Sequence, residues 1–322
     1  MAGLIARLFG SPVHYAGDAE IETALSRAVE QVEPRLRQAG DFPRRYRRSV
    51  AHALDYARQL AQAVPGPVEM APELYARDPF VHVLFSGPEE MQQALCMSHA
   101  MHEYARRPGG PGTDAYALMG MRRREKTAFG MELQGELLRR EVAQRVVIFT
   151  DHTLSGPAPT EAEARQLLMW NLFDSLLGRV SERIQARRKS RQALEQERDY
   201  LRADLRLAPP ERRSALQQRL EKVLAELAAA AATLDLRRLA QDFDEILLNP
   251  EQHLRLERVT LNVDGMGVLR PDSAPAAHEL DFTDLYGRDR RRWTVVMVHC
   301  HPRPELLAMD ERLHQASRWL QL

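Results

Sequence analysis

The sequence predicts an α+β protein: an N-terminal helical module, an antiparallel β module interrupted by a long antiparallel coiled-coil hairpin, and a C-terminal helix. Two observations carry this prediction. Polar and apolar residues alternate in two separate stretches, as in half-buried strands, and an unbroken heptad pattern lies between them. The predicted limits are 1–108 for the helical module, 113–159 and 250–322 for the two halves of the β module, and 160–249 for the hairpin.

The composition is that of an ordinary globular protein, and it sets limits on the partners. At 322 residues the chain is long enough for about two domains with their own cores. Its 45 acidic and 45 basic side chains cancel, so no net charge favours nucleic acid or an anionic membrane. Two cysteines are too few for a disulfide framework, and no apolar stretch approaches a membrane span. We therefore predict a cytoplasmic protein without a membrane partner.

The first third of the chain has the apolar spacing of helices. Apolar side chains recur every three or four residues over 21–36 and again over 46–64. Asp78 followed by a proline has the form of an N-cap and first turn, which predicts a further helix. A segment rich in proline and glycine at 107–113 predicts a linker to the β module.

The β module is predicted from alternation and from turn residues. Before the hairpin, the sequence predicts a basic turn at 122–126, a half-buried strand at 129–137 and a buried strand at 146–149. After the hairpin, one strand ends at the Asp-Gly dipeptide of 264–265, a favoured hairpin turn. A second basic turn at 288–292 precedes the last strand, so the two halves share one pattern and are predicted to form one sheet.

The hairpin carries the strongest pattern in the sequence. Steps of four and three residues continue without a slip through the first helix, and the same spacing returns after Pro209-Pro210, which ends that helix. The predicted seam residues are Phe173, Leu177, Val180, Ile184, Arg187, Arg191, Leu194, Leu201, Leu205, Leu216, Leu220, Val223, Leu227 and Leu234. Matching seams on both sides of a short break predict two antiparallel helices.

Arginine at seam positions 187 and 191 is unusual in a tight two-stranded coiled coil. The facing run of alanines leaves room for the arginine stems, and Glu221 and Glu226 are predicted as their ion-pair partners. The alternative is that the loosened seam recruits a protein partner or a second copy of the chain.

Two groups of residues are candidates for ligand binding. Arginines in and near the predicted turns form a candidate anion site: Arg122, Arg123, Arg124, Arg139, Arg140, Arg145, Arg290, Arg291 and Arg292. A candidate metal set joins thiol and imidazole groups of one helix and one strand: Cys96, His99, His102, His299 and His301. The spacing of this second set matches no established zinc signature, so no metal and no other cofactor is predicted.

A hexapeptide at 151–156, DHTLSG, follows Arg139, Arg140 and Arg145. It resembles the PilZ family, in which an arginine pair and a D/N-x-S-x-x-G turn bind cyclic di-GMP on a small β-barrel. The stretch TLNVDGMGV at 260–268 is similar to a turn and strand of the same family. The chain has threonine in the serine position, and its arginines lie close to the turn. The resemblance implies a small barrel that binds a cyclic dinucleotide.

The sequence contains no catalytic signature and no common nucleotide-binding loop. We therefore predict a non-enzymatic cytoplasmic interaction or scaffold protein that assembles through its coiled-coil hairpin, with a protein partner or with itself. The alternative is a β module that uses its arginine-rich turns to bind an anionic ligand, either a cyclic dinucleotide or a nucleic acid, although the balanced net charge gives nucleic acid no support. A metal-dependent enzyme is the third reading.

Overall fold

The structure is a computed structural model with a mixed α+β fold, which confirms the predicted fold class. It describes residues 17–38, 41–107, 114–134, 137–271, 277–287 and 292–301. The predicted C-terminal helix lies outside these residues, as does most of the predicted linker at 107–113. None of the helices in the described segments is long and apolar enough to cross a lipid bilayer.

Eight α-helices lie in the described segments. The N-terminal ones are α1 (Asp18–Val32), α2 (Arg44–Ala63), α3 (Pro79–Leu84), α4 (Pro88–Cys96) and α5 (His99–Ala105), and the later ones are α6 (Glu161–Leu207), α7 (Pro210–Thr233) and α8 (Leu236–Leu248). Helix α2 has the predicted apolar stripe, which is buried from Tyr46 to Leu60. Helix α3 begins as predicted, because the Asp78 carboxylate accepts a hydrogen bond from the Phe80 amide.

Within the described segments, six strands form one sheet. They are β1 (Val68–Met70), β2 (Ala115–Gln134), β3 (Leu137–Ala158), β4 (Arg255–Val263), β5 (His278–Tyr286) and β6 (Arg292–Cys300). The strand order is β3-β2-β6-β5-β4, all antiparallel, and β1 lies parallel to β6. The predicted basic turn at 122–126 is wrong, because these residues lie in the middle of β2 and pair with 146–150 of β3. Two long strands therefore replace the shorter strands predicted around that turn.

The segment after β4 joins the two edge strands of this sheet. The Val147 amide donates to the Gly267 carbonyl, and the Leu269 amide donates to the Arg145 carbonyl, both at 2.8 Å. Leu269 also bridges to Val263 at the end of β4. This short segment therefore links the β3 edge to the β4 edge through backbone contacts. Gly267 is required here, because its φ is 74° and an added Cβ would lie 2.8 Å from the Val147 carbonyl oxygen.

The chain divides into two compact units. The described residues of Arg58–Asn171 and Arg255–Leu322 form one, which contains the sheet and which we call the β unit. The described residues of Ser11–Ala57 and Leu172–Leu254 form the other, the helical unit. The domain limits derived from the sequence stay a prediction, because compactness does not establish which segments fold independently.

Each unit has its own apolar core. In the β unit, Phe282 stacks on Phe80 at 5.2 Å between ring centroids and packs against Phe149 at 5.1 Å. In the helical unit, the Tyr46 ring meets Phe243 edge-on at 5.1 Å. The first four predicted seam residues belong to this second core and are fully buried: Phe173, Leu177, Val180 and Ile184.

Candidate functional site

The first candidate site is a projecting pair of helices in the helical unit. We call residues 191–207 of α6 and 210–233 of α7 the arm. Its helices are antiparallel, since Arg219 Nε donates to Glu197 Oε1 at 2.8 Å across them. Two consecutive prolines follow α6 and begin α7, and Arg213 Nε donates to the Ala208 carbonyl at 3.0 Å in the connection.

The predicted seam buries little of its surface along the arm. Only Leu201 and Val223 among the seam residues are buried there. The other leucines of the seam are half-buried: Leu194, Leu205, Leu216, Leu220, Leu227 and Leu234. Two helices alone thus leave much of this apolar surface in contact with water, which costs free energy in proportion to its area.

A second set of residues on the arm is exposed and nearly free of charge. We call it the outer stripe; it consists of Ala193, Gln196, Tyr200, Ala203 and Leu207 on α6 with Ala215, Gln218, Lys222, Ala225, Ala229 and Ala232 on α7. Steps of three and four residues place each set along one face of its helix. Tyr200 is one turn from Glu197 and Lys222 is one turn from Arg219, so both sets border the side of the hairpin where that ion pair lies.

Tyr200 and Leu207 make the outer stripe unusual for a solvated surface. Their side chains are 71% and 87% exposed, and neither has an apolar role within the hairpin seam. The sequence pattern contained this signal, because the steps from position 193 to 207 repeat those of the seam itself. Sequence reasoning missed it because alanine and glutamine do not mark a stripe as apolar.

The two seam arginines have partners that the sequence did not predict. Arg187 donates from Nη2 to Asp242 Oδ1 at 3.0 Å and from Nη1 to the Thr233 carbonyl at 3.1 Å. Arg191 pairs with Glu195 one turn along the same helix at 2.9 Å. The predicted pairing with Glu221 and Glu226 is wrong, because a carboxylate of α8 and a local glutamate occupy those arginines.

The second candidate site is a pair of arginines on the surface of the β unit. Arg122 and Arg124 alternate with Arg123 along β2, so they share the opposite face of the strand. Both lie near one carboxylate oxygen of Asp151, at 3.5 and 3.6 Å. Arg122 also lies over the Trp293 ring, 5.1 Å from its centroid. Two cations and one anion leave a net positive charge beside an aromatic side chain.

The backbone of β3 explains how Asp151 reaches these arginines. The register of β2 and β3 shifts between Gly120 and Arg122, and Asp151 has a φ of 57°. The extra residue on β3 turns the Asp151 side chain toward its neighbours. Residues 151–156, which resemble a PilZ turn, are thus part of a strand, and their aspartate meets arginines of β2.

Arg123 has a structural position instead. It is buried and donates from Nη2 to Asp284 Oδ2 at 2.7 Å, and burial lowers the pKa of its guanidinium. Arg292 joins the same group, with its Nε 3.7 Å from Asp284. Arg145 forms an ion pair with Glu125 on the neighbouring strand. The structure therefore separates these arginines by their partners: Arg122 and Arg124 lie at Asp151, Arg123 and Arg292 lie at Asp284, and Arg145 lies at Glu125.

Four other predicted arginines have no described side chain. Arg139 and Arg140 lie in β3, in a stretch whose side chains the structure does not describe. Arg290 and Arg291 lie outside the described residues. Arg122 and Arg124 are therefore the members of the predicted anion set that the structure brings together at one exposed carboxylate.

The predicted metal set separates in the structure. Cys96 is buried at the end of α4, while the His99 side chain is exposed on α5, where it lies 3.7 Å from Glu103. His299 and His301 do come together, but with Glu69 of β1, which sequence reasoning missed. Burial raises the pKa of Glu69, whereas the hydrogen bonds to the two imidazoles and their charges together lower it more, so the pKa of Glu69 lies below its usual range.

Comparisons of this chain with protein-family models, with curated proteins and with solved structures find no match.

Proposed function

We propose that this chain is a non-enzymatic assembly protein whose arm forms a coiled coil with a second copy of itself. The observation that carries the proposal is the outer stripe: a row of exposed, charge-poor positions along each helix of the arm, with Tyr200 and Leu207 on α6. It lies on a hairpin whose own seam leaves its leucines half-buried.

The physical reason for self-association is the unburied apolar area of the arm. Tyrosine and leucine gain stability from burial, and alanines allow two helices to approach closely. A twofold pair of hairpins would place the outer stripe of one copy on that of the other, giving a bundle of four antiparallel helices. The charged side chains on the remaining faces of the arm would then stay in water.

The experiment measures the mass of the full chain in solution by light scattering after size exclusion. The test variant carries Tyr200→Glu and Leu207→Glu, which place two carboxylates in the proposed interface. The control variant carries Arg202→Glu and Arg206→Glu, which add negative charge at exposed positions outside the stripe on the same helix.

We expect a defined oligomer for the wild type and the control variant, and a monomer for the test variant. Circular dichroism should show equal helix content in all three proteins. A monomeric wild type, or a test variant with the wild-type mass, would contradict the proposal.

A second candidate function has its own observation. The exposed pair Arg122 and Arg124 shares one carboxylate and adjoins Trp293, and this combination suits a phosphate next to a base. We propose a cyclic dinucleotide as the ligand, in line with the resemblance to the PilZ family. Binding requires that the phosphate compete with Asp151 for the two guanidinium groups.

Calorimetric titration with cyclic di-GMP tests this second candidate. The double substitution Arg122→Ala and Arg124→Ala should abolish binding. Arg255→Ala is the matched control, because Arg255 also lies over an aromatic ring, that of Tyr286, and pairs with a nearby glutamate. Absence of binding to the wild type, or equal binding to all variants, would exclude this candidate.

A further inference from the structure

Three adjacent strands of the β unit place a set of polar side chains in one row. In the sheet, His299 of β6 is aligned with Glu69 of β1 on one side and with Tyr116 of β2 on the other. Aligned residues on neighbouring strands project from the same face of a sheet, and so does a residue two positions further along. His301 therefore projects beside His299, while the intervening Cys300 is buried on the opposite face.

The carboxylate of Glu69 lies between the two imidazoles. His299 Nδ1 is 2.9 Å from Oε1 of Glu69, and His301 Nε2 is 2.8 Å from Oε2. The ligand-type atoms of these three residues all lie within 4.8 Å of one another. Within the part of the chain that the structure describes, this is the one group of histidine, cysteine and acidic side chains so arranged.

Two neighbouring side chains hold the imidazoles in place. Asp114 Oδ1 is 3.4 Å from Nδ1 of His301, the ring nitrogen that faces away from Glu69. A proton on that nitrogen leaves Nε2 with a free lone pair, which is the arrangement found behind metal-bound histidines. The Tyr116 ring is stacked on His299 at 4.2 Å with an interplanar angle of 1°, and so fixes the plane of that imidazole.

We propose that Glu69, His299 and His301 bind a divalent transition-metal ion of the zinc type, with Asp114 as the positioning residue of His301. Two imidazole nitrogens and one carboxylate oxygen select zinc and its neighbours over magnesium and calcium, which prefer oxygen ligands alone. Three protein ligands leave one position of a tetrahedral ion open to solvent.

The distances fit this ion. Ligand atoms about 2.0–2.1 Å from a tetrahedral zinc ion lie about 3.3–3.4 Å from one another. The two oxygen–nitrogen distances at Glu69 are 2.9 and 2.8 Å, so each has to lengthen by about half an ångström on binding. The carboxylate side chain is half exposed and free to make this movement. The ligand-type atoms of all three residues lie within 4.8 Å of one another, so the remaining adjustment toward about 3.3–3.4 Å falls on side chains.

The test is calorimetric titration of the full-length, untagged chain with Zn²⁺ after treatment with a chelator, with Mg²⁺ as the comparison metal. We expect one zinc ion per chain and no binding of magnesium. His301→Ala and Glu69→Gln should weaken zinc binding at least about 100-fold, and Asp114→Asn about 10-fold. His99→Ala is the matched control, since His99 also faces a glutamate but lacks a third ligand.

Cobalt absorption provides a second measurement. Co²⁺ in the wild-type protein should show the visible bands of a tetrahedral site, and these bands should be lost in Glu69→Gln. This variant keeps the size of the side chain while removing its negative charge and one ligand oxygen, so it still tests the proposal if His301→Ala fails to fold. Absence of zinc binding to the wild type, or wild-type affinity in both His301→Ala and Glu69→Gln, would overturn the proposal.

Discussion

Each unit contains a fully buried aspartate that is paired with arginines, but the two arrangements differ in their contact with water. In the β unit, Asp284 pairs with Arg123, whose side chain is 3% exposed. In the helical unit, Asp242 pairs with Arg187 and Arg183, whose side chains are 20% and 32% exposed. The first pair is enclosed on both sides, whereas the second keeps its cations at the surface.

The difference shows how a protein interior accommodates charge in two ways. Removing both ions of a pair from water has a high desolvation cost. In the enclosed pair, Asp284 accepts a further hydrogen bond from Thr294 Oγ1 at 2.7 Å, whereas Arg123 Nε and Nη1 are buried without a hydrogen-bond partner. The helical unit buries only the carboxylate and shares it among arginines that remain hydrated. Loss of the aspartate should therefore leave an uncompensated buried charge in the β unit alone.

The largest expected effect tests the enclosed pair. Asp284→Asn should lower the free energy of unfolding by about 3–5 kcal/mol, because Arg123 then stays buried without its counter-ion. Urea unfolding followed by tryptophan fluorescence measures this change. Asp281→Asn on the same strand is the control and should have little effect, since Asp281 pairs with the exposed Arg258. Equal losses of unfolding free energy in Asp284→Asn and Asp281→Asn would contradict the claim that burial of both ions makes the first substitution costly.

Asp242→Asn should have a smaller effect, about 1.5–3 kcal/mol, because Arg187 and Arg183 turn to water when the charge is lost. Urea unfolding followed by circular dichroism measures it. Glu245→Gln is the matched control on α8, where the exposed Glu245 pairs with Arg183 at 3.3 Å. A loss as large as that of Asp284→Asn would show that partial exposure of the arginines does not reduce the loss in the free energy of unfolding.

The third effect is a dependence on pH from one half-buried histidine in each unit. Burial lowers the pKa of His152, which stacks on Phe85, and burial together with the charges of Arg179 and Arg183 lowers the pKa of His253. Folding therefore favours the neutral imidazoles. This contribution is complete above pH 6.5, the unfolded pKa, and is lost as the pH falls toward the lower folded values, by at most about 1.4 kcal/mol per pH unit for each histidine.

Thermal melts recorded about every half pH unit between about pH 7.5 and about pH 5 measure this dependence. His152→Phe should reduce the slope below that of the wild type, whereas the exposed control His99→Ala should keep it. A slope that is unchanged by His152→Phe would contradict the assignment of the acid sensitivity to burial.

The smallest expected effect separates the two seam arginines. Arg191→Leu exchanges a pair with Glu195, worth about 0.2–0.5 kcal/mol, for a leucine in a half-exposed seam. We expect a slight rise in melting temperature. Arg187→Leu should lower the melting temperature, because it removes a partner of the buried Asp242. Equal shifts in the two variants would show that the heptad position alone determines how each substitution changes the melting temperature.

The pattern of the sequence predicted the elements that depend on local spacing. The heptad run from Phe173 lies in α6, and the break at Pro209 separates α6 from α7. The same spacing did not reveal that the seam near Ile184 is buried while the arm beyond Arg191 is exposed. That difference depends on whether other helices cover the seam, which the heptad spacing does not predict.

The basic stretch of β2 was mistaken for a turn for a physical reason. Consecutive arginines are typical of exposed loops, because a strand interior rarely tolerates them. Here the strand alternation assigns Arg123 to the interior, where Asp284 neutralises it, and its neighbours to the surface. The carboxylate that allows Arg123 to be buried in this strand belongs to Asp284 on β5, far along the chain, so the pattern of neighbouring residues does not predict it.

The candidate metal site could be predicted only in part. Alternation along β6 placed His299 and His301 on one face, and this part agrees with the structure. Glu69 was missed because β1 has only three residues, too few for a periodic signal. Its alignment with His299 arises from parallel pairing between distant segments, which the sequence does not display.

The parallel pairing of β1 with β6 also affects the order in which a nascent chain becomes native. Val68 leaves the ribosome early, but its partner Val298 is synthesised near the end of the described chain. The helical unit finishes sooner, because its last segment ends at Leu254, whose carbonyl accepts a hydrogen bond from Tyr56. During vectorial synthesis we therefore expect the helical unit to gain protection first, while β1 and β2 wait with unpaired edges until β6 emerges.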